Sequence, residues 1–327
     1  MLLILTIDGD NSTSNVIDWL LYNNTDFDRI NYEELLGTEI QINSVDTKII
    51  LSNKKNYNLK NYRTYWYRRG NFQIPTKLIK GATNSECINT INTFNKDECN
   101  YVQNFIHSYL KEKTYSVNTY SDIFVNKLTL LDKAKEIGLK IPETLITTNK
   151  SNVLEFIKKY ESIISKPIYN GFNFTIKDAN FYFHTLLINA DDIKNLPVKF
   201  YVTKFQALIP KSFELRIFYL EGKFYASAIF SQNDEQTKVD FRNYNEDKPN
   251  RVLPYKLPKD LQIKLTKLMN EIEMKSGSID IIVTKSGEYV FLEVNPIGQF
   301  TQVSLPCNYY LEKEVAKIFE NGKTRVN

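Results

Sequence analysis

The sequence predicts an α/β (α+β) fold in which strands and amphipathic helices follow each other along most of the chain. At the amino end, the apolar run 2–7 is typical of a strand, and the apolar spacing after it predicts a helix capped by Thr13 or Ser14. Near the carboxy end, residues 258–274 carry the apolar stripe of a helix, and residues 278–296 alternate like a two-stranded hairpin. These patterns predict helices packed on sheets.

Composition restricts the classes of protein to consider. The chain has 327 residues, 42% hydrophobic and 24% charged, which is enough for two or three globular domains. A net charge of +4 does not indicate nucleic-acid binding, and no apolar run has the length of a membrane span. The first residues lack the basic leader of a signal peptide, so we expect a cytoplasmic protein with no membrane partner.

Cysteine and histidine usage argues against two kinds of site. Cys87, Cys99 and Cys307 are widely spaced and form neither a disulfide framework nor a zinc site. His107 and His184 have no sequence context that would support a cysteine nucleophile. We therefore expect both histidines to be structural or surface residues.

Residues 1–120 are predicted to form a small α/β domain. After the first strand and helix, short strands are expected near 39–43 and 47–52, and a further strand over 62–69. The helical spacing over 84–113 predicts two helices that pack against this domain. The short polar segment 116–121 after them is the candidate boundary.

Two features of this first domain invite a functional interpretation. Arg68 and Arg69 close the predicted strand, and arginine side chains suit carboxylates, so an acidic peptide could dock there; a solvated strand end is the alternative. The turn Asp8-Gly9-Asp10 could belong to a metal site, but a strand-to-helix turn rich in turn-forming residues explains it better.

Residues 121–199 form the second predicted region. A helix over 128–137 follows Lys127, and Gly138 ends it. A later strand ends at Lys166, before a loop containing glycine that could fold over phosphate oxygens. Simple solvation of each lysine is the alternative.

Residues 200–327 form the third region, which is rich in strands. The strand predicted over 200–210 could offer backbone groups to an aromatic ligand. On the next strand, Glu214 and Arg216 share a face because side chains alternate. Asp240 and Arg242 form a further acid–base cluster in the loop that follows the hairpin there.

The hairpin at 278–296 gives the most informative pattern. With a two-residue loop at Ser286-Gly287, Asp280 lies directly opposite Glu293, and Asn295 shares the face of Glu293. The three side chains should then converge within about 5–8 Å. Facing carboxylates destabilise a ladder, and a bound Mg²⁺ would resolve the conflict because it prefers oxygen ligands. A solvated polar face is the alternative.

Taken together, these elements resemble the ATP-grasp superfamily of carboxylate–amine ligases over about residues 120–300. The resemblance implies an ATP-grasp fold in which two lobes clasp ATP behind a small N-terminal domain. It also implies Mg²⁺ at Asp280, Glu293 and Asn295. The residues implied to bind the nucleotide are Lys127, Lys166, Lys204, Gln206, Ala207, Leu208, Glu214 and Asn243.

A narrower resemblance is to the ligases that macrocyclise ribosomally made peptides, the graspetide (microviridin-type) and grasp-with-spasm maturases. It rests on Tyr65-Trp66-Tyr67-Arg68-Arg69, Val239-Asp240-Phe241-Arg242 and the run 293–300. It implies ATP-dependent activation of Asp or Glu side chains in a precursor peptide, leader plus core, followed by ester or amide ring formation. Arg216, Arg242 and Asp240 would be the catalytic residues, with Arg68 and Arg69 contacting the peptide.

Other functions remain open at this point. An ATP-grasp ligase could instead append free amino acids to a protein or metabolite, and a non-catalytic module could bind ATP or peptide without reaction. The intact set of three candidate metal ligands favours an enzyme over a module. A homodimer is left open.

Overall fold

The structure, a computed structural model, describes residues 1–35, 39–43, 47–50, 55–72, 74, 85–169, 171, 173–177, 179–182, 185–232, 245 and 247–322. None of the helices within these ranges combines the length and the apolar composition needed to cross a membrane.

Strands and helices alternate over most of the chain. The strands are, in chain order, β1 (Leu2–Thr6), β2 (Phe27–Asn31), β3 (Glu39–Ile42), β4 (Thr47–Ile50), β5 (Asn56–Asn58), β6 (Thr64–Tyr67), β7 (Tyr115–Ser116), β8 (Thr144–Asn149), β9 (Ile163–Ser165), β10 (Asn173–Ile176), β11 (Ala179–Tyr182), β12 (Leu186–Ile188), β13 (Lys199–Ala207), β14 (Lys211–Leu220), β15 (Lys223–Phe230), β16 (Arg251–Tyr255), β17 (Ser276–Thr284) and β18 (Tyr289–Asn295). The helices are α1 (Asn11–Tyr22), α2 (Ser85–Lys113), α3 (Lys127–Glu136), α4 (Lys150–Lys159), α5 (Ala190–Asn195), α6 (Lys259–Glu271), α7 (Thr301–Cys307) and α8 (Leu311–Gly322), with short 3₁₀ turns at Tyr32–Leu35, Leu59–Asn61 and Tyr120–Phe124.

The first part of the chain is built on a parallel sheet in the order β2-β1-β6-β7. The strand–turn–helix predicted at the amino end is present, but the predicted cap is wrong. Asp10, not Thr13 or Ser14, caps α1, and its side chain accepts a hydrogen bond from the Thr13 amide. Gly9 takes a positive φ of 73° in the turn between them, which glycine adopts without strain. The Asp8-Gly9-Asp10 segment is thus the strand-to-helix turn that we favoured.

A second prediction for the first part of the chain is also wrong. Residues 85–113 form the single helix α2, not two helices. His107, near its carboxy end, is buried and bonded through its two ring nitrogens to Tyr65 and Asn71. Burial lowers the pKa of His107 to about 3, so the ring is neutral at physiological pH and has a structural role. His184 lies outside the described residues.

The middle of the chain forms an antiparallel sheet in the order β12-β9-β13-β8, with α4 packed beside it. In this sheet β13 lies between β8 and β9. Phe205 of β13 enters a small core with Val153 and Ile163. Because side chains alternate along a strand, Lys204 and Gln206 of β13 point to the opposite face.

The carboxy-terminal part forms an antiparallel sheet in the order β16-β15-β14-β17-β18. One face is apolar and is covered by α3 and α6, and its central strands contribute Leu215, Ile217, Ile279 and Ile281. Burying each such side chain contributes about 1.5–3 kcal/mol. The opposite face carries the alternate residues of the same strands, which include Arg216 and Asp280.

Both ends of the chain share one core. Leu2, Ile4 and Trp66 of the first sheet pack with Phe300 and with residues of α7 and α8. Phe218 and Leu220, at one end of the polar face of the carboxy-terminal sheet, join the same core. The first domain is therefore fixed against the end of the sheet that carries Arg216 and Asp280.

The hairpin β17–β18 differs from its prediction at the tip. The predicted two-residue loop is wrong: Thr284 pairs with Glu288 around a three-residue loop in which Gly287 has a φ of +80°. The register is shifted by one residue as far as Ile281, which pairs with Phe291. A bulge then restores the register, so that Asp280 faces Glu293 as predicted.

Candidate active site

The three predicted metal ligands lie together on the polar face of the carboxy-terminal sheet. Asp280 and Glu293 are a directly opposed cross-strand pair. The Asn295 amide nitrogen lies 3.3 Å from Asp280 Oδ2 and 3.5 Å from Glu293 Oε1. The convergence expected from strand alternation is thus present, and metal binding by these residues stays a prediction.

Each carboxylate of this pair has its own cation. Arg216 Nη1 donates to both oxygens of Asp280 at 2.7 Å, and the two residues face each other across β14 and β17. Lys127 Nζ, in the first turn of α3, donates to Glu293 Oε2 at 3.0 Å. The chain itself therefore offsets the carboxylate repulsion, so the repulsion alone does not require a metal.

The residues present nevertheless fit Mg²⁺ held together with a polyphosphate. Among the described residues there is no cluster of three or more His, Cys, Asp or Glu side chains arranged to hold a metal. Two carboxylates and one amide oxygen are a partial oxygen set, and Mg²⁺ commonly takes one or two carboxylates and completes its shell with water and phosphate oxygens. Asn295 would have to turn its amide oxygen toward the ion, because amide nitrogens do not coordinate it.

A group of lysines faces the same site from the middle sheet and α3. Lys204 is only 3% exposed, which is unusual for a lysine. Burial lowers its pKa to about 8, helped by the positive charges of Lys166 and Lys127 and opposed by Glu293. Lys166 follows β9 directly, and its amide bonds to the Lys204 carbonyl. Three cations held near one another, one of them buried, form an environment that favours a multiply charged anion.

Glu214 is engaged within the protein by two residues that the sequence did not single out. Lys211 Nζ donates to its Oε1 at 2.6 Å, and Ser231 Oγ donates to the same oxygen at 3.1 Å. Burial raises the pKa of Glu214 despite these contacts. The sequence does not predict the contact between Lys211 and Glu214, because it depends on an irregularity in β14 between Lys211 and Phe213.

The segment predicted to receive an aromatic base crosses between the two sheets. The amides of Ala207 and Leu208 donate to the carbonyls of Glu143 and Ser162, so these two donors are already used. Gln206 donates to Thr144 Oγ1, while its Oε1 is buried without a hydrogen-bond partner among the described residues. An unsatisfied buried acceptor is rare and is a group that a ligand amine could satisfy.

The remaining candidate residues are a buried arginine, an exposed arginine and three residues that the structure does not describe. Arg68 is buried, so the solvated alternative is wrong for it, whereas Arg69 is exposed. Asp240, Arg242 and Asn243 lie outside the described residues. Peptide contact by either arginine stays a prediction.

No protein-family model and no curated protein matches the sequence. Solved structures match over almost the whole chain. A RiPP-associated ATP-grasp ligase from Chryseobacterium gregarium, in complex with ADP and a leader and core peptide, has 25% identity and a TM-score of 0.81, covering 98% of this chain and 96% of that one.

Two further structures support the same fold. The macrocyclase MdnC from Microcystis aeruginosa MRC, bound with the precursor peptide MdnA, has 26% identity and a TM-score of 0.79 and covers 98% of this chain and 99% of its own. The macrocyclase MdnB from the same organism has 22% identity and a TM-score of 0.71, with 97% and 98% covered, and is evidence for the fold alone. The predicted ATP-grasp fold is confirmed.

Proposed function

We propose that this chain, an ATP-grasp ligase of the graspetide maturase family, forms ester or amide cross-links within a ribosomally made precursor peptide. The observation that carries the proposal is that charged side chains from two sheets lie near one another, which we call the charged site. Lys166 and the buried Lys204 lie on the middle sheet, and Asp280, Glu293 and Arg216 lie on the carboxy-terminal sheet. The similarity to two peptide-bound ligases at 25% and 26% identity supports it.

We assign the nucleotide and the metal to this charged site. Lys127, Lys166 and Lys204 would bind phosphate oxygens, and Glu214 the ribose. The base would lie near Gln206, Ala207 and Leu208, and Asn243 is a further candidate for binding the nucleotide. Mg²⁺ would be held by Asp280, Glu293 and Asn295, and when bound it neutralises phosphate charge.

The reaction then needs positioning and charge neutralisation more than a new bond to the protein. An oxygen of a peptide Asp or Glu side chain attacks the γ-phosphorus of ATP, and ADP leaves. A hydroxyl or amine of the same peptide attacks the acyl carbon, loses its proton, and inorganic phosphate leaves. Arg216 and Arg242 would orient the carboxylate and stabilise the transferring group, and Asp240 is our candidate for proton acceptance.

The organisation of the chain follows from the same assignment. We propose an N-terminal domain over 1–120 that helps to dock the peptide, a central lobe over 121–199 and a carboxy-terminal lobe over 200–327. Of the two arginines, the exposed Arg69 is our candidate contact, because Arg68 is buried beside Asp10. A cytoplasmic location fits an enzyme that uses ATP and a newly made peptide. A homodimer is compatible with all of this and is not required by it.

Intact-mass analysis tests the proposed function. The full chain is incubated with Mg·ATP and a short peptide, rich in Thr or Lys and in Asp or Glu, encoded beside its gene. We expect the loss of one water per ring and the release of ADP. The matched control is the same peptide with its Asp and Glu residues replaced by Asn and Gln, which should stay unchanged. A gain in mass would show addition of free amino acids instead, and no ADP release would indicate a binding module.

The buried lysine gives a pH prediction. Phosphate attracts protonated Lys204, whose pKa is about 8, so ATP should bind more weakly as the pH rises from about 7 to about 9. Lys204→Met should weaken ATP binding at about pH 7 by roughly 10- to 100-fold, the range of a charge-assisted hydrogen bond, and should flatten the pH dependence. Calorimetric titration with ATP at several pH values measures both effects.

A control for this prediction lies on the same strand. Lys199 is exposed at the start of β13, far along the strand from Lys204. Lys199→Met should bind ATP with the affinity and pH dependence of the unaltered protein. If Lys204→Met keeps the full pH dependence, Lys204 does not contact the nucleotide.

A further inference from the structure

A segment of the first domain holds the open end of the hairpin that carries the candidate metal ligands. Asn118, just after β7, is 1% exposed. Its Nδ2 donates to the carbonyl of Pro296 at 3.0 Å and to that of Ser276 at 3.3 Å. Ser276 begins β17 and Pro296 follows the last residue of β18. One amide group therefore bridges the two strand ends at which the hairpin would otherwise fray.

The orientation of this amide is fixed by a third contact. Trp66 Nε1 lies 3.2 Å from Asn118 Oδ1. An indole nitrogen can only donate, so the atom facing it must be the amide oxygen, and the nitrogen must face the two carbonyls. Trp66 is itself buried in the core shared by both ends of the chain. Trp66 therefore fixes the orientation of the Asn118 side-chain amide.

The segment after Asn295 also packs closely against β17. A Cβ built on Gly298 would lie 2.1 Å from Ser278 Oγ and 2.9 Å from the Ser278 amide nitrogen. Ser278 is the cross-strand partner of Asn295 and lies two residues before Asp280. Only glycine allows this approach, so the position of the segment is coupled to the strand that carries Asp280.

A second contact from the first domain reaches the same segment. Ser12 Oγ lies 2.7 Å from Gln299 Oε1 and 2.7 Å from Asp10 Oδ1, and it accepts from Arg68 Nη2 at 3.1 Å. A hydroxyl has one proton, and the charged Asp10 is the stronger acceptor, so Gln299 fits with its amide nitrogen turned toward Ser12. Burial lowers the pKa of Arg68 to about 10, which leaves it charged at neutral pH beside Asp10.

We propose that Asn118 is a positioning residue for the metal site, acting from the first domain by fixing the ends of β17 and β18. The inference rests on the proposed function, because it takes Asp280, Glu293 and Asn295 as the metal ligands. Asn295 is the last residue of β18, so its side chain depends most on how the following residue is held. Loss of the bridge would let Asn295 move relative to Asp280.

The test measures metal affinity without peptide. Asn118→Asp keeps the acceptor for Trp66 and removes the two donors. In the full chain saturated with ADP, Mn²⁺ titration followed by electron paramagnetic resonance should show a dissociation constant raised about 10- to 100-fold, the usual effect of losing a residue that orients a metal ligand. The affinity for ADP without metal should be unchanged, because the lysines proposed to hold the phosphates do not touch Asn118.

Asn71→Asp is the matched control. Asn71 lies in the same domain, and its Nδ2 also donates to two groups, Gln103 Oε1 and Tyr120 Oη, neither of which belongs to the hairpin. It should lower thermal stability and leave the Mn²⁺ dissociation constant unaltered. Equal Mn²⁺ affinity in Asn118→Asp and the unaltered protein would overturn the proposal.

A second variant covers the case in which Asn118→Asp does not fold. Gln299→Met removes the contact with Ser12 at similar volume and should weaken Mn²⁺ binding in the same direction, by less, since Gln299 is further from Asn295. Unchanged affinity there would likewise count against positioning from the first domain. Cross-linking of peptide with normal metal affinity in both variants would leave the proposed function intact and refute only the role of Asn118.

Discussion

Replacing Glu293 by glutamine should reduce ATP-dependent dehydration of the precursor peptide by at least about 10³-fold, the upper range for removing one electrostatic contact from an active site. Glutamine has the shape of glutamate and lacks its charge, so the hairpin should keep its register. What is lost is one of the two carboxylates proposed for Mg²⁺ and the partner of Lys127, which lies 3.0 Å away. Product formation measured by intact mass at saturating Mg·ATP gives the rate.

The same hairpin provides the control. Glu288, at the tip, also pairs with a lysine, Lys140, and is exposed. Glu288→Gln removes a carboxylate and an ion pair from the same hairpin without changing a proposed site residue, and it should leave the rate unchanged because exposed ion pairs contribute little. Full ligation by Glu293→Gln would remove the metal assignment.

Asp280→Ala should be inactive as well, for a less simple reason. Asp280 is both a proposed metal ligand and the partner of buried Arg216, so its loss leaves an unpaired cation and costs about 3–5 kcal/mol of stability. Thermal unfolding will separate the loss of a metal ligand from the loss of stability. Of the Asp280 and Glu293 variants, only the Asp280 variant should lose much stability. Glu293 is therefore the sharper test of metal binding.

The hairpin shows how the correct cross-strand pair can be predicted with an incorrect turn. Alternation and a short turn predict Asp280 opposite Glu293, and the structure has that pair. The turn itself has three residues, and the bulge beside Phe291 cancels the resulting shift. A bulge depends on packing across the sheet and leaves no fixed signature in the residues, so it could not be foreseen.

The charges around the Asp280–Glu293 pair show a second limit of prediction from the sequence. Glu214 and Arg216 were expected to share a face, which follows from alternation alone. That Arg216 would face Asp280 required the pairing of β14 with β17, which are separated by two strands and a helix in the chain. Likewise, the burial of Lys204 among other lysines depends on three elements brought together only in the fold.

The contacts of the first domain were beyond prediction for the same reason. The sequence places Arg68 at the end of a strand. Its burial against Asp10 depends on packing with Phe300, more than two hundred residues away in the chain. Asn118 stood in a polar segment that marked a boundary. Its two carbonyl partners come from the far end of the chain, and no local pattern identifies such a bridge.

Arg216 presents the second large expected effect. Arg216→Ala should lose at least about 10²-fold in turnover if Arg216 stabilises the transferring phosphoryl group. It should also lose about 3–5 kcal/mol of stability, because Asp280 would remain buried opposite Glu293 without its cation. Activity loss in this variant alone therefore cannot distinguish catalysis from folding.

Arg216→Lys separates the two roles. Lysine keeps a positive charge beside Asp280, so most of the stability should return, but a single ammonium cannot serve Asp280 and a phosphoryl group at once as the guanidinium can. Arg216 has donors to spare, since its Nε is buried without a partner among the described residues. We expect normal ATP affinity and thermal stability near that of the unaltered protein, with turnover still reduced.

The pattern across the two variants decides the role of Arg216. If turnover falls in both while ATP affinity holds, the guanidinium acts on the reacting groups. If turnover follows the folded fraction, so that lysine restores both, Arg216 serves only as the counter-ion of Asp280. In that case the charge balance around Asp280 is structural, and stabilisation of the phosphoryl group must come from Lys166, Lys204 and the metal.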